Sequence, residues 1–403
     1  MDPQAYLTRL QPLAMRFGLE RMERALDALG HPERRYPVLH VGGTNGKGST
    51  CAMSAAALSA AGHRVGLYTS PHLVRFHERI MIDGVPIEDG ALSARIDEVR
   101  AACPWHEAGR EDERLTYFEF ATLVGLLEFA VRGVTAAVVE VGLGGRLDAT
   151  NAIASPSVTA IARIGLDHVQ LLGDTVEAVA REKAGIFKPK VPAVVYRDQP
   201  GAVLEVLRAE AARHRAPFTV APAAFDGRVG LAGPHQRANA ALAAAALLAL
   251  AARGVAMAED AIARGIAVAT WPGRLETVGG VLLDGAHNPQ GATALAEALA
   301  TENPVRPVEL VLGILSDKDH VGMLTALRPA VRSLHLVAPA SPRARPPIEV
   351  QAAARSLGIP ADLHAGVEEA LACARRAASD GATVCVAGSL YLVGEARSRL
   401  LAQ

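Results

Sequence analysis

The sequence predicts two α/β domains with mostly parallel sheets. Short apolar runs bounded by glycine and polar residues alternate with helical patterns through both halves, the pattern of strand–helix–strand units. The first of these runs breaks into a glycine-rich turn that opens a helix, VLHVGGTNGKGST over residues 38–50. At 403 residues the chain exceeds one ordinary domain. The alternation restarts after Pro272, which sets the boundary near residues 269–273.

Residues 1–36 read as helical. Leu7, Leu10 and Leu13, then Leu19, Met22, Ala25, Leu26 and Leu29, recur at helical spacing, with Gly18 between the segments and Gly30 after the second. Residues 38–41 form the first strand, and its helix runs from about 47 to 61, stopped at Gly62. Strand 65–68 follows, then the loop TSPHLVRFHER (69–79), and alternation over 80–87 about Asp83-Gly84 predicts a hairpin. Helices are expected over 90–101 and 118–132, separated by residues 103–115, which are polar and read as exposed. Residues 136–141 make a buried strand carrying Glu140, and the glycine-rich loop VGLGGRLDATN (141–151) lies at its exit. Strand 158–161 leads to IGLDHVQLLGDT, helix 175–187, strand 191–195 and helix 203–214. GPHQRANA (233–240) opens an alanine-rich helix whose apolar run, 240–252, is short for a membrane span. Helix 258–268 precedes TWPGRLE. Beyond the boundary, strands are expected at 278–283, 308–313, 333–337 and 383–387, each followed by a helical stretch.

Half the residues are hydrophobic, enough for a sizeable core, and the formal net charge is −1. No basic stripe with interleaved aromatics appears, which argues against nucleic acid as a partner. The first ten residues lack the charged start and apolar run of a signal peptide, and no segment reads as membrane-spanning. Cys51, Cys103, Cys373 and Cys385 form no close pair, so neither disulfides nor a cysteine metal site is indicated, as suits a reducing cytoplasm. Lysine stands at only five of the 41 basic positions: Lys47, Lys183, Lys188, Lys190 and Lys318. An ammonium is compact and loses its proton when buried, whereas a guanidinium does not, so each lysine in an arginine-rich chain raises the question of a role arginine cannot fill. Lys188 and Lys190, beside Pro189, read as ordinary surface charges.

An apolar strand feeding a glycine turn at a helix start is an anion cradle, because backbone N–H groups face the anion and the helix dipole favours it. The turn departs from standard phosphate-loop spacing: it is one residue short, and Gly48 separates Lys47 from the hydroxyl of Ser49. Glycines alone also make bland strand-to-helix turns; Lys47 and Ser49 point to nucleotide phosphate. In open parallel sheets ligands sit at the carboxyl ends of strands. The polar groups there are Lys47 and Ser49, then Thr69, Ser70 and His72, then Glu140, then Asp167 and His168. Ser49 and Glu140 suit one magnesium ion beside the phosphates, and Ser70 and His168 a second, although histidine is an unusual magnesium ligand. The bland readings are a solvated strand end or a structural salt bridge for Glu140, a hydrogen-bonded loop histidine for His168, and a surface charge paired with Glu182 for Lys183. In the second half DGAHNP follows an apolar strand and presents Asp284, His287 and Asn288; Lys318 and Asp319 follow VLGIL, and GSLYLVGE reads as packing as readily as function. If the two halves face each other, Arg274 reaches phosphates held by the first. Such a plan suits ATP activation of an acid followed by attack of a second molecule.

GTNGKGS, YTSPHL, LTYFEFAT, EVGLGGRLDATN, GLDHVQLLGDT, EKAGIFK, HQRANA, WPGRLE, DGAHNP, GILSDKD and GSLYLVGE occur in that order. Together they resemble the folate branch of the Mur ligase superfamily, the dihydrofolate synthases and folylpolyglutamate synthases, across nearly the whole chain. DGAHNP recurs in related ligases, whereas the set with TSPHL and EVGLGGRLDATN is specific to the folate branch. The resemblance implies a phosphate-loop ATPase-type, mostly parallel domain over 1–270, binding ATP and folate. It implies a smaller Rossmann-like glutamate-ligase domain over 271–403.

It further implies a cytoplasmic, monomeric ligase that joins L-glutamate to dihydropteroate and to folate tails through an acyl phosphate, with ATP and two magnesium ions. On that resemblance the metal ligands are Ser49, Ser70, Glu140 and His168. The nucleotide contacts are Thr44, Asn45, Gly46, Lys47, Gly48, Asn239, Arg274 and Asp284, with His287 near the phosphates. Lys183 corresponds to a carbamylated lysine. The pterin pocket corresponds to Gly18, Leu19, Thr116, Tyr117, Phe118, Glu119, Leu147, Asp148 and Ala149. Asp148 suits the pterin N–H groups, since a planar donor edge wants a carboxylate. A folylpolyglutamate synthase without the first activity, a cell-wall peptide ligase and a nucleotide-dependent switch are the alternatives; TSPHL speaks against the second and the second-half motifs against the third.

Overall fold

The computed structural model describes residues 3–10, 16–302, 308–378 and 381–402, so Leu13 of the expected first helical stripe lies outside the described residues. The chain divides into two units: residues up to Gly230 with Arg237–Thr270, and Leu231–Gln236 with Trp271 onward. The short segment Leu231–Gln236 thus groups with the second unit, which the alternation pattern did not signal.

The first unit carries β1 (Val38–Gly42), β2 (Val65–Tyr68), β3 (Ile80–Ile82), β4 (Val85–Pro86), β5 (Ala136–Glu140), β6 (Val158–Ile161), β7 (Ala193–Val195) and β8 (Phe218–Val220). Their order is β4-β3-β2-β5-β1-β6-β7-β8. The six from β2 to β8 in that order are parallel, and β3 and β4 add antiparallel at one edge. All five residues of β1 are buried, as expected for a central parallel strand covered on both faces. The register sets Val41 against Glu140 and Gly42 against Ile161, so the loops after β5, β1 and β6 leave the sheet side by side.

Helices close both faces. Met22, Leu26, Ile96, Phe120 and Phe129 pack with Tyr68 in one core, and Val179, Phe187, Val203 and Leu207 with Ile161 in another. Gly265 of helix Glu259–Val268 lies against helix Lys47–Ala60 so closely that a Cβ there would come within 2.2 Å of Ala57 Cα. Residues 103–115 correct the expectation of an exposed stretch. Cys103, His106 and Leu115 are buried, residues Trp105–Ala108 form a helical turn, and His106 Nδ1 accepts the Leu115 N–H at 3.0 Å. The charged residues between them face outward and hid this pattern.

The second unit carries β9 (Glu276–Val278), β10 (Val281–Leu283), β11 (Val308–Leu312), β12 (Val331–Leu336), β13 (Ala361–Leu363) and β14 (Thr383–Ala387), in the order β13-β12-β11-β14-β10-β9. All neighbours are parallel except the antiparallel pair β9–β10. The apolar run 278–283, read as one strand, is instead a hairpin corner. Gly279 and Gly280 both adopt left-handed φ (55° and 75°), the conformation a two-residue hairpin turn needs. Leu295, Leu310, Leu312, Leu334 and Val350 form its core. Among the described residues no helix is long and apolar enough to cross a membrane.

Candidate active site

The glycine loop after β1 is stitched to the segment after β6. Thr44 and Asn45 N–H groups both donate to the Arg163 carbonyl (2.9 and 3.1 Å), and Thr44 Oγ1 donates to Gly165 O and accepts from Gly165 N. Gly43 (φ 136°) has no room for a side chain, since a Cβ would sit 2.8 Å from Ala162 Cβ. Gly46 (φ 88°) precedes the first helical residue, Lys47, and a Cβ there would sit 2.4 Å from Asn239 Oδ1. The loop therefore keeps its backbone N–H groups and the helix N-terminus together, with Asn239 against Gly46. Ser49, in the first turn, is buried.

Lys47 Nζ donates to the Thr44 carbonyl at 3.1 Å and lies 4.0 Å from Glu140 Oε1. Glu140 ends β5, is 5% exposed, and its Oε2 accepts the Ser70 N–H at 3.2 Å. Glu140 is therefore no solvated strand end. His168 sits in the left-handed region (φ 51°) in the loop after β6, its N–H donating to Asp167 Oδ1. Among the described residues no three His, Cys, Asp or Glu side chains converge into a metal cage. The donors present, one buried carboxylate beside Ser70 with the Ser49 hydroxyl in the neighbouring helix turn, fit magnesium, which takes few protein oxygens and fills its shell with phosphate and water.

Lys183 is no surface charge. It is 4% exposed, and Nζ donates to the Gly43 carbonyl at 2.8 Å. Burial, with the nearby Lys47 ammonium, pushes its pKa down to about 7, against the pull of Asp167 and Asp148. Glu182 pairs instead with Arg146 at 2.9 Å. The loop after β5 grips the same helix end: a Cβ on Gly145 would meet the Lys183 carbonyl at 2.8 Å, and Arg146 N–H donates to Glu182 O.

The expected pterin residues come together in part. A Cβ on Gly142 would strike Phe118 at 2.4 Å, so helix Tyr117–Val131 and the 142–148 loop share a wall. Tyr117 packs against Phe76 (6.2 Å) and under the Arg79 guanidinium (5.4 Å). Arg79 Nε donates to His72 Nδ1 at 2.8 Å. Glu119, in contrast, is engaged twice over. It closes a capping box with Thr116 and takes a bidentate bond from Arg21 (2.8–3.2 Å). Asp148 Oδ2 accepts the Leu143 N–H and Oδ1 accepts the Thr150 N–H and hydroxyl. Burial raises its pKa against those bonds. Leu147 is half-buried and Ala149 buried beside it; Gly18 takes φ 129° ahead of Leu19 at the cap of helix Glu20–Ala28.

Residues 41–223 match the Mur ligase middle domain and residues 273–390 the Mur ligase glutamate ligase domain. The dihydrofolate synthase/folylpolyglutamate synthase of Bacillus subtilis is 37% identical over 85% of this chain and 86% of its own length. The chain belongs to the dihydrofolate synthase/folylpolyglutamate synthase family. Its fold agrees: Mycobacterium tuberculosis folylpolyglutamate synthase complexed with ADP superposes with a TM-score of 0.91 at 34% identity, covering 99% of this chain and 98% of that one. Escherichia coli FolC in complex with DHPP and ADP gives 0.88 at 33% identity, over 100% and 98%.

In the second unit of this family member, Asp284 follows β10 and is buried. Its oxygens accept the Leu275 and Ala286 N–H groups (3.1 and 2.9 Å). Burial raises its pKa, opposed by Arg274 and His235. Leu275 is held left-handed (φ 47°) by that bond. Arg274 lies over Gly285, where a Cβ would clash, and His287 Nδ1 bonds the Gly285 carbonyl at 2.7 Å. Asn288 caps helix Pro289–Glu302 through Gly291 N–H. Buried Lys318 lies 3.4 Å from Asp317, and Asp319 caps the next helix through Gly322 N–H. Ser389 caps the last helix, and Gly388 N–H donates to Ala286 O, tying the GSLY turn to DGAH. Arg21, Arg79, Arg163, His40 and Thr150 were missed from sequence; only position near a motif could have flagged them.

Proposed function

We propose that this protein is an ATP-dependent ligase that joins L-glutamate to dihydropteroate, forming dihydrofolate, and to the γ-glutamyl tail of tetrahydrofolates. The observation that carries the reading is the glycine loop of Thr44–Ser49 with Lys47 beside the buried Glu140, inside a family match over 85% of the chain.

In this reading the N–H groups of residues 46–49 at the helix start and Lys47 receive the ATP phosphates, with Asn45, Gly46, Gly48 and Asn239 around the nucleotide. Arg274, Asp284 and His287 are nucleotide contacts of the glutamate-ligase domain (271–403). Ser49, Ser70, Glu140 and His168 hold two magnesium ions, which offset charge on the transferring phosphoryl group. An acceptor carboxylate oxygen attacks the γ-phosphorus and ADP leaves. The glutamate amine then attacks the acyl phosphate carbon, loses a proton, and phosphate departs from the tetrahedral intermediate. Holding acid and amine together replaces a bimolecular encounter with a positioned one.

Lys183 supports the site as a carbamate. Its neutral amine attacks CO₂ and releases a proton, turning a cation beside Lys47 into an anion. The pterin wall consists of Gly18–Leu19, Thr116–Phe118 and Leu147–Ala149, with the remaining acceptor capacity of Asp148 directed to pterin N–H groups; Glu119 holds that wall through Arg21. The enzyme works as a cytoplasmic monomer.

The test supplies ATP, magnesium and L-glutamate with dihydropteroate or tetrahydrofolate and identifies products by mass. Glutamyl products from both acceptors are expected. No product from either overturns the reading, and product from tetrahydrofolate alone removes the dihydrofolate synthase half.

A further inference from the structure

His40 lies in the middle of β1, fully buried among apolar residues. Its Nε2 is 2.8 Å from Thr150 Oγ1, and Thr150 Oγ1 is 2.5 Å from Asp148 Oδ1. Thr150 is fully buried and Asp148 6% exposed. His40 Nδ1 is buried as well and has no hydrogen-bond partner among the described residues. Burial, reinforced by Lys188, pushes the imidazole pKa down to about 3, so the ring is neutral and carries one proton.

That proton has two possible homes, and the structure distinguishes them. With Asp148 ionised, the Thr150 hydroxyl donates to Oδ1 and accepts from His40 Nε2–H, leaving Nδ1 as a bare lone pair. With a proton on Asp148 Oδ1, every bond reverses. Asp148 donates to Thr150, Thr150 donates to His40 Nε2, and the ring proton sits on Nδ1, which no described residue accepts. A buried orphan N–H is rarer and costlier than an unused lone pair. A proton on Oδ2 instead displaces the Leu143 N–H, 2.8 Å away. The dead end at Nδ1 thus sets the direction of the whole relay and favours the carboxylate, against the burial that disfavours it. The other groups facing this relay are Lys183 from helix Val176–Ala184, Tyr68 from β2, and Lys188, whose Nζ donates to Asn151 O.

We propose that His40 and Thr150 are positioning residues that keep Asp148 an anionic hydrogen-bond acceptor for the donor edge of a pterin. The proposal rests on the assignment of Asp148 to the pterin wall. It makes a strand residue, upstream of the phosphate loop, a determinant of acceptor recognition rather than of nucleotide binding.

The test measures kcat/KM against pH for dihydropteroate, and KM for ATP, in the wild type and in H40L, H40Q, T150V, T150S and D148N. H40L and T150V are expected to move the acidic limb upward and raise the dihydropteroate KM about tenfold, the loss expected of one hydrogen bond relayed to a charged group, with KM for ATP unchanged. H40Q and T150S, which keep an N–H donor and a hydroxyl, restore the profile. A role in packing alone weakens both substrates together without moving the limb. ¹⁵N NMR of His40 should find Nε2 protonated and Nδ1 bare. A proton on Nδ1, or an unmoved limb in H40L while D148N raises the dihydropteroate KM, overturns the proposal. If D148N leaves that KM unchanged, the pterin assignment itself falls and takes the proposal with it.

Discussion

Lys183 Nζ donates to the carbonyl oxygen of Gly43 at 2.8 Å, from inside the first unit's core. This bond aims a buried lysine amine at the backbone of the phosphate loop. The amine titrates at about 7 because burial penalises its charge. Below that pH it is protonated and inert to CO₂; above it the neutral form accumulates. With ¹³CO₂ and magnesium present, a carbamate carbon signal should grow as pH rises through about 7 and be missing in K183R. No signal at alkaline pH in the active enzyme counts against carbamylation.

Gly46 faces Asn239 with no space for a methyl group and holds φ 88°. G46A should lower stability by about 1–3 kcal/mol and abolish most ADP binding, because both the backbone and Asn239 must shift. Pairing it with N239A should recover the part due to collision and leave the part due to φ. A G46A protein with unchanged ADP affinity by calorimetry would show that the loop does not need this geometry.

Glu140 approaches both Lys47 and the Ser70 N–H. E140Q keeps the shape and removes the charge. Titrating magnesium at saturating ATP should show the half-activating concentration raised about tenfold or more, the scale at which ligands tune a metal site. An unaltered magnesium curve would return Glu140 to a structural salt bridge.

Glu119 is buried, and the half-buried Arg21 holds it in bidentate geometry. E119A should cost about 2–4 kcal/mol in denaturant unfolding, since it removes the charged hydrogen bonds to Arg21 and opens the capping box. R21A combined with E119A should cost less than the sum of the two. Strict additivity would mean that the pair does not couple.

The central strands were legible because a parallel strand buried on both faces is a plain apolar run: β2, β6 and β14 begin and end where the pattern does. The edges were not. β8 and β13 are three residues each and partly exposed, so no burial pattern marks them. The β9–β10 hairpin was hidden because Gly279-Gly280 falls within an apolar run. At the site, residues at strand exits announced themselves. Glu140 and Lys47 meet as the sheet rule requires, and Lys183 stood out by being lysine. What stayed hidden depends on partners far apart in sequence. Glu119 answers to Arg21, and His40 in a buried strand looks like core until Thr150 and Asp148 are seen beside it.

The most direct measurement follows oxygen through one turnover. Dihydropteroate labelled with ¹⁸O in its carboxylate is given ATP, magnesium and L-glutamate, and the phosphate released is analysed by mass. One ¹⁸O per phosphate is predicted, because the oxygen that attacks the γ-phosphorus leaves with it when the glutamate amine displaces phosphate. Unlabelled phosphate, released together with dihydrofolate, would contradict the acyl-phosphate route; unlabelled phosphate without it would contradict ligation altogether.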